Sequence, residues 1–329
     1  MKRLRIITVI GLLAIMPSVT GQQFPMYSQY IMNGFLLNPS YAGSDFYTTF
    51  GLTVREQWLG LPEAPSTYAA SFQTRILNDS YITKSTTVRK KINRPTKGGR
   101  VGLGGYVFSD HNGIMHRTGF QFAYAYHLPI EDEKQLSFGL SLSAYQYFVD
   151  ISGAVIEDQN DELLANYDQV VFIPDANFGV SYTTRRFFAG FAMTNLLRGS
   201  LMIGNGGENG NSQLGHYFLT GGVKFYPGST DWIIEPSMML KSSDMLAKSI
   251  QLDLTARVYY KEDYWLGVSY RTNDAVVLLG GVKVDRFYLG YAFDFTLSDI
   301  RSYTYGTHEL TVLARFGENP RRYRWINKY

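Results

Sequence analysis

Few side chains in this sequence are arranged as catalytic or metal-binding groups usually are. The chain has no cysteine, no GxSxG motif, and no histidine spacing typical of a zinc site. Asp110 and His111 could form an acid/base pair with His116, but a turn rich in Asp, Asn and Gly explains residues 109–113 without chemistry. We therefore predict no enzyme activity and no cofactor. The histidines are His111, His116, His127, His216 and His308.

Two loop-like stretches carry groups that bind ions in other proteins. Residues 157–162 gather carboxylates that could hold Ca²⁺, but the glycine and the terminal glutamate of an EF-hand loop are missing. Residues 204–210 are rich in glycine, yet no Lys-Ser or Lys-Thr follows, so phosphate binding is not indicated. We predict no metal site, and calcium at 157–162 stays an open question.

The first 21 residues have the pattern of a cleavable secretory signal. Lys2, Arg3 and Arg5 precede an apolar run over residues 6–16, and small residues follow at 19–21. This run is shorter than the roughly 20 apolar residues that span a bilayer as a helix. Without the three leader cations, Lys and Arg equal Asp and Glu in number, so nothing favours binding to nucleic acid.

Beyond the leader, apolar residues recur at every second position, as in strands with two different faces. Leu136, Phe138 and Leu140, for example, alternate with Ser137 and Gly139. An even number of strands of about ten residues, after a secretory signal, is typical of an outer-membrane β-barrel. A soluble β-sandwich also alternates, but its exposed face would carry more charge than the Gly, Ser and Ala found here. The fourteen predicted strands lie near residues 47–57, 66–77, 100–109, 117–129, 134–149, 174–184, 187–194, 214–226, 231–241, 249–260, 264–270, 275–284, 286–297 and 307–316.

The connections between these strands indicate how the barrel would be oriented. Short connections alternate with longer ones, and barrels of this class have short periplasmic turns. Two connections depart from this rule: residues 78–99 are long on the predicted periplasmic side, and residues 271–274 are short on the outer side. The stretch from Lys84 to Arg100 holds seven basic residues and no acid, so it is either a solvated linker or an arm that docks an acidic partner.

Several motifs are spread over almost the whole mature chain. They are Phe24-Pro25-Met26-Tyr27-Ser28-Gln29-Tyr30, Leu37-Asn38-Pro39-Ser40-Tyr41-Ala42-Gly43-Ser44, Arg55-Glu56-Gln57-Trp58-Leu59-Gly60, Ala64-Pro65-Ser66-Thr67, Asp110 with Gly113, Pro174-Asp175-Ala176-Asn177-Phe178-Gly179 and Gly306-Thr307-His308-Glu309-Leu310. Together these motifs resemble the PorP/SprF family of outer-membrane proteins, which is tied to type IX secretion and gliding. The resemblance implies a barrel in the outer membrane that works with periplasmic type IX components. It would help specific secreted surface proteins or adhesins, through their C-terminal domains, to reach and remain at the cell surface.

The candidate partner-binding residues come from these motifs. Turn-forming residues precede the first strand, so this segment could fold into the lumen. An apolar cluster at Trp58, Leu59, Leu61 and Pro62 could grip a partner or pack on its own barrel rim. The candidates are Asn38, Pro39, Tyr41, Gly43, Arg55, Gln57, Trp58, Leu59, Pro65, Gly306, Thr307, His308 and Glu309.

We thus expect a signal peptide at 1–21, a segment at 22–46 that could pack in the lumen, an all-β barrel at 47–316 and a tail at 317–329. The leading hypothesis for function is a barrel that binds and anchors exported proteins. The alternative is a diffusion channel, although the predicted lumen mixes charges of both signs. A membrane-embedded hydrolase would lack any nucleophile arrangement.

Overall fold

The computed structural model describes residues 27–76, 100–131, 134–150, 170–197, 200–201, 211–212, 215–228, 231–243 and 250–317. The expected secretory signal, the possible calcium loop, the basic residues before Arg100 and all but the first residue of the tail lie outside these ranges.

The described residues form sixteen strands and three short 3₁₀ helices. None of the described helices is long and apolar enough to cross a bilayer. The helices are Gly34–Leu36, Pro39–Tyr41 and Asp299–Tyr303. The strands are Thr48–Glu56 (β1), Ser66–Ile76 (β2), Val101–Asn112 (β3), Met115–Glu131 (β4), Lys134–Val149 (β5), Val171–Thr184 (β6), Phe187–Thr194 (β7), Ser200–Leu201 (β8), Asn211–Ser212 (β9), His216–Val223 (β10), Trp232–Ser242 (β11), Ile250–Tyr260 (β12), Tyr264–Arg271 (β13), Ala275–Val284 (β14), Phe287–Thr296 (β15) and Thr307–Phe316 (β16).

Fourteen of these strands close into one antiparallel barrel. Each pairs with the next in sequence, except that β7 pairs with β10, because β8 and β9 form a separate hairpin within that connection. The first and last strands seal the cylinder along its whole length, from Thr48 opposite Phe316 to Glu56 opposite His308. Closure leaves no unpaired strand edge for the bilayer to meet. The predicted barrel of fourteen strands is confirmed.

The alternating sequence explains which face of each strand meets lipid. On β5, Leu140 and Leu142 are 61% and 69% exposed on the outer wall, whereas Ser137 and Ser141 are buried in the lumen. The same pattern recurs on the other long strands, where Phe, Leu, Val and Tyr point outward and Ser, Thr, Gly and charged residues point inward. An apolar exterior around a polar interior is the reverse of a soluble sandwich, and it suits a barrel embedded in lipid.

The two ends of the barrel differ in their connections. We call the end that carries Thr48 and Phe316 the terminal end, and the opposite end, which carries residues 57–65 and 297–306, the loop end. The connections between β6 and β7, β12 and β13, and β14 and β15 are two or three residues long and lie at the terminal end. Residues 150–170 and 195–215 connect strands at the loop end.

Three local predictions were wrong. The loop predicted at 110–116 is a two-residue turn, because β3 and β4 keep pairing up to Asn112 opposite Met115, and Gly113 adopts the left-handed conformation that the turn needs (φ 60°). Strand β10 is shorter than predicted. Pro236 on β11 lacks an N–H to continue the ladder, so regular pairing ends at Gly222 opposite Ser237. The hairpin of β8 and β9 was not predicted.

Candidate functional site: the lumenal plug and the loop-end rim

The lumen is filled by residues 27–46, which we call the plug. The plug begins near the loop end, where the backbone N–H groups of Ser28 and Gln29 donate to the Glu309 carboxylate at 2.6 and 2.8 Å. It then descends to the terminal end, where Asp45 lies 3.6 Å from Arg315. The chain therefore passes along the barrel axis before it enters β1.

The plug reaches the wall through glycines that face inward. A Cβ added to any of these glycines would lie 3.0 Å or less from a plug atom, so the absence of a side chain is what allows the close approach. At Gly104, for example, the added atom would lie 2.6 Å from the Phe35 ring. The inward glycines that contact the plug are Gly51, Gly102, Gly104, Gly139, Gly179, Gly190 and Gly290.

The middle of the plug is a short 3₁₀ helix whose start is fixed by Asn38. Its side-chain oxygen accepts hydrogen bonds from the Ser40 N–H at 2.9 Å and the Ser40 hydroxyl at 2.7 Å, and Pro39 occupies the first helical position. The Asn38 amide also donates to the carbonyls of Val180 and Phe191 in the wall, at 3.3 and 3.2 Å. One asparagine thus both caps the turn and ties it to β6 and β7.

The plug backbone is also held by His127 on β4, two strands away from β6. Its Nε2 donates to the Ala42 carbonyl at 2.9 Å, and its Nδ1 lies 2.8 Å from the Ser137 hydroxyl. The hydroxyls of Ser40 and Ser181 are 2.8 Å apart. At these positions, buried polar groups of the plug are matched by buried polar groups of the barrel.

A buried ion-pair cluster, which we call the loop-end latch, holds the start of the plug. Arg55 bridges Asp294 at 2.9 Å and Glu309 at 3.0 Å. Arg271 bridges Asp253 at 3.0 Å and Asp294 at 3.2 Å. The Ser28 hydroxyl donates to Asp294 at 2.8 Å and accepts from Arg55 at 2.8 Å. All five charged side chains are buried, so removing one would leave its partners uncompensated.

A second structure, which we call the loop-end rim, consists of residues 57–65 and 303–307, which are joined by hydrogen bonds. The Leu59 N–H donates to the Gly306 carbonyl and the Tyr305 N–H donates to the Leu59 carbonyl, both at 2.8 Å. The Trp58 N–H donates to the Thr307 hydroxyl at 3.1 Å. The first and last strands of the barrel are therefore bonded together beyond the end of their ladder.

The rim has a strained backbone and an exposed aromatic surface. Trp58 has a positive φ of 53°, and Gly60 has a φ of 101° and packs against the Tyr305 ring. Tyr303 and Tyr305 are 75% and 78% exposed, and Leu59 is also exposed. A rigid loop that holds large apolar side chains in solvent or headgroups has the character of a contact surface.

The predicted site residues thus fall into two groups, with one residue apart from both. His308 lies on the outer wall, where its Nδ1 is 2.6 Å from the Tyr291 hydroxyl. Asn38, Pro39, Tyr41, Gly43, Arg55 and Glu309 belong to the plug and its latch. Gln57, Trp58, Leu59, Pro65, Gly306 and Thr307 belong to the rim, where the Gln57 N–H donates to the Pro65 carbonyl at 2.8 Å.

Several important residues were missed by sequence reasoning. Arg271 was assigned to a short outer connection, but it ends β13 and points into the latch. Ser28, Asp253 and Asp294 were not singled out as site residues, although inward-facing charges on neighbouring strands were a usable signal. His127 was treated only as a histidine without metal spacing, because its partner, the Ala42 carbonyl, is 85 residues away.

The suggested acid/base pair does not form. Asp110 accepts a hydrogen bond from Thr67 at 2.7 Å, on the lumen side of β3. His111 follows it in the strand and so points to the opposite face, where its ring lies edge-on to His116 with centroids 4.3 Å apart. In the part of the chain that the structure describes, no three His, Asp or Glu side chains are grouped as metal ligands would be.

Comparison with solved structures finds barrels of the bacterial outer membrane. The chain is 11% identical to the toluene transporter TbuX of Ralstonia pickettii, over 91% of this chain and 96% of that one, with a TM-score of 0.47. It is 9% identical to the outer membrane protein Omp33 of Acinetobacter baumannii, over 83% and 100%, with a TM-score of 0.44. It is also 9% identical to the KdgM porin, over 82% and 99%, with a TM-score of 0.38. Similarity at this level carries no argument about function.

No curated protein sequence matches the chain. A family model does match, over residues 19–313, and its description is the type IX secretion system membrane protein PorP/SprF. The match covers the plug, the rim and all of the barrel strands except the last three residues of β16. This chain therefore belongs to the PorP/SprF family of type IX secretion system membrane proteins and is an outer-membrane β-barrel.

Proposed function

We propose that this barrel exports and anchors specific surface proteins or adhesins together with the type IX machinery, and that it does so by binding rather than by catalysis. The observation that carries the proposal is the plug, which fills the lumen and is tied to the wall at both ends. A passage filled in this way favours a scaffold over an open pore.

The loop-end rim is the surface that we assign to the exported protein. Its backbone is fixed by hydrogen bonds between the first and last outer connections, so its aromatic side chains are held in place before a partner arrives. Preorganised aromatic groups lose little entropy on binding and often dominate interface energy. In this proposal the loop end faces the cell exterior and the terminal end faces the periplasmic components, in keeping with the short turns there.

A cysteine scan tests this assignment, and the absence of native cysteine makes it clean. Single cysteines at Leu59, Tyr303 and Tyr305 would carry a photo-crosslinker in native membranes. We expect each to capture an exported surface protein. The matched control is a cysteine at Asp285, which is exposed in a terminal-end turn and should capture none. Equal capture from both ends, or none from the rim, would contradict the assignment.

The alternative function is a diffusion channel. Planar-bilayer recordings separate the two proposals, because a channel gives large and steady openings whereas a plugged barrel stays closed. A steady conductance in the purified full chain would favour the channel.

A further inference from the structure

A polar stripe crosses the outer wall at the loop end, on a wall that is otherwise largely apolar. It is formed by residues that lie directly opposite one another on five neighbouring strands. Its side chains belong to neither the plug nor the rim. The stripe consists of His308 on β16, Glu56 on β1, Ser66 on β2, His111 on β3 and His116 on β4.

Within this stripe, His111 and His116 form a pair of neighbouring imidazoles. Directly opposite residues on antiparallel strands have Cβ atoms about 4.5–5.5 Å apart, and the two ring centroids are 4.3 Å apart. No hydrogen bond to a described residue holds either ring, and the buried Nδ1 of His111 is without such a partner. The rings of His127 and His308, by contrast, are both hydrogen-bonded. The pair therefore has ring nitrogens that no described group engages.

The spacing of the two rings suits a shared metal ion. Two imidazoles bind one ion when each ligating nitrogen lies about 2.0–2.1 Å from it, so the two nitrogens are at most about 4 Å apart. The rings now stand edge-on, at 87° to each other. Rotation about χ2, which is a broad torsion in histidine, can turn a nitrogen of each ring toward a common point.

The ligand type determines which ions fit. Neutral imidazole is a good ligand for Zn²⁺, Cu²⁺ and Ni²⁺, whereas Ca²⁺ and Mg²⁺ prefer oxygen ligands. Glu56, the carboxylate of the stripe, accepts a hydrogen bond from the Tyr68 hydroxyl at 2.5 Å, and Ser66 separates it from His111. The pair thus offers nitrogen alone, which selects a transition metal.

We propose that His111 and His116 bind one divalent transition-metal ion, such as Zn²⁺ or Cu²⁺, on the outer wall. Two protein ligands leave the remaining coordination positions to water. The ion cross-links β3 to β4 beside their turn, where the Gly113 N–H donates to the Glu63 carbonyl of the rim at 3.2 Å. The site lies outside both the lumen and the rim, and it stands or falls independently of the proposed anchoring function.

Cu²⁺ is the probe for the first test, because it binds such ligands most tightly among the divalent first-row ions and is paramagnetic. The mature chain, without an affinity tag, would be titrated in detergent and measured by electron paramagnetic resonance. We expect one tight site per chain, with hyperfine coupling to two imidazole nitrogens, and no change in excess Mg²⁺. The absence of such a site, or its displacement by Mg²⁺, would overturn the proposal.

Two variants and one control locate the ion. His111→Asn and His116→Asn should each weaken Cu²⁺ binding by about tenfold or more, because each removes one of the two ligands. His308→Asn is the matched control, since it removes an imidazole from the same stripe whose Nδ1 is already engaged by the Tyr291 hydroxyl. It should bind Cu²⁺ as the wild type does. Equal loss in His111→Asn and His308→Asn would overturn the assignment.

Protection of the wild-type chain tests the site without any substitution. Diethyl pyrocarbonate modifies imidazole nitrogens, and mass spectrometry locates the modified residues. Zn²⁺ should slow the modification of His111 and His116 and leave that of His308 unchanged. Equal protection of all three histidines, or protection of none, would overturn the proposal.

Discussion

Gly139 is the position where a single added methyl group should dislodge the plug. An added Cβ would lie 2.6 Å from the Ser40 Cα and closer still to the Pro39 carbonyl carbon. Unbonded carbon atoms prefer about 3.5–4.0 Å, and these plug atoms are backbone, which cannot rotate away as a side-chain end can. Overpacking of this kind costs about 1–3 kcal/mol. The undocked population should therefore rise by about 5-fold to about 150-fold in Gly139→Ala.

Thiol labelling of a buried plug residue measures that population. Ser40→Cys introduces the only thiol, at a position with no exposed surface in the docked plug. We expect maleimide to label Cys at position 40 faster when Gly139→Ala is also present. The labelling rate should rise by the same factor as the undocked population. Gly221→Ala is the control, because Gly221 faces outward and its added Cβ would have its nearest neighbour at 3.6 Å. Unchanged labelling in Gly139→Ala, in a barrel that still migrates as folded, would refute the reasoning.

Three further expectations concern the latch, the rim and the plug. Glu309→Gln breaks a buried ion pair and should lower the free energy of unfolding by about 3–5 kcal/mol. On gels, the variant barrel should then lose its folded mobility at a lower temperature. The control is Glu63→Gln at an exposed position, which should change the free energy of unfolding by less than about 0.5 kcal/mol. Gly60 has a φ of 101°, so Gly60→Val strains the backbone and places a side chain against the Tyr305 ring. We expect capture of the partner to fall while the unfolding temperature of the barrel stays unchanged. Normal capture would contradict the role of the rim. The docked plug occupies the lumen, so the bilayer conductance of the full chain should stay closed; steady openings at neutral pH would argue against docking.

The strands were predictable because one face of each long strand meets lipid and the other face meets the polar lumen. Leu136, Phe138 and Leu140 face lipid while Ser137 and Ser141 face the lumen, so the sequence itself carries a period of two. Turn positions were less predictable. Asn112 and Met115 still pair at the end of the β3–β4 ladder, where the sequence no longer alternates between apolar and polar residues.

The plug shows that a sequence can indicate a kind of local structure without indicating where in the fold it lies. Asn38 and Pro39 were recognisable as turn chemistry, and the inward glycines were visible as small residues on strands. Which glycine each plug residue contacts was not predictable, since Asn38 contacts Gly179 and Phe35 contacts Gly104 only after the barrel has closed. Contacts between residues so far apart in sequence leave no local pattern.

The latch was hidden for a related reason. Asp253 and Asp294 alternate with apolar residues along β12 and β15, but the sequence does not indicate that they share Arg271, on another strand. Inward-facing charges of opposite sign predict ion pairs of some kind. Which charges meet depends on strand stagger, which is a property of the closed cylinder.

The claim that the barrel works as a sealed binding scaffold is tested most directly by locking the plug. The Ser40 and Ser181 hydroxyls are 2.8 Å apart, so Ser40→Cys with Ser181→Cys should form a disulfide between plug and wall. The measurement is the amount of exported surface protein that the oxidised barrel captures from native membranes. We expect the same capture as from the reduced and wild-type proteins. Capture that is lost on oxidation and restored by reduction would show that the plug must move, and would contradict the account.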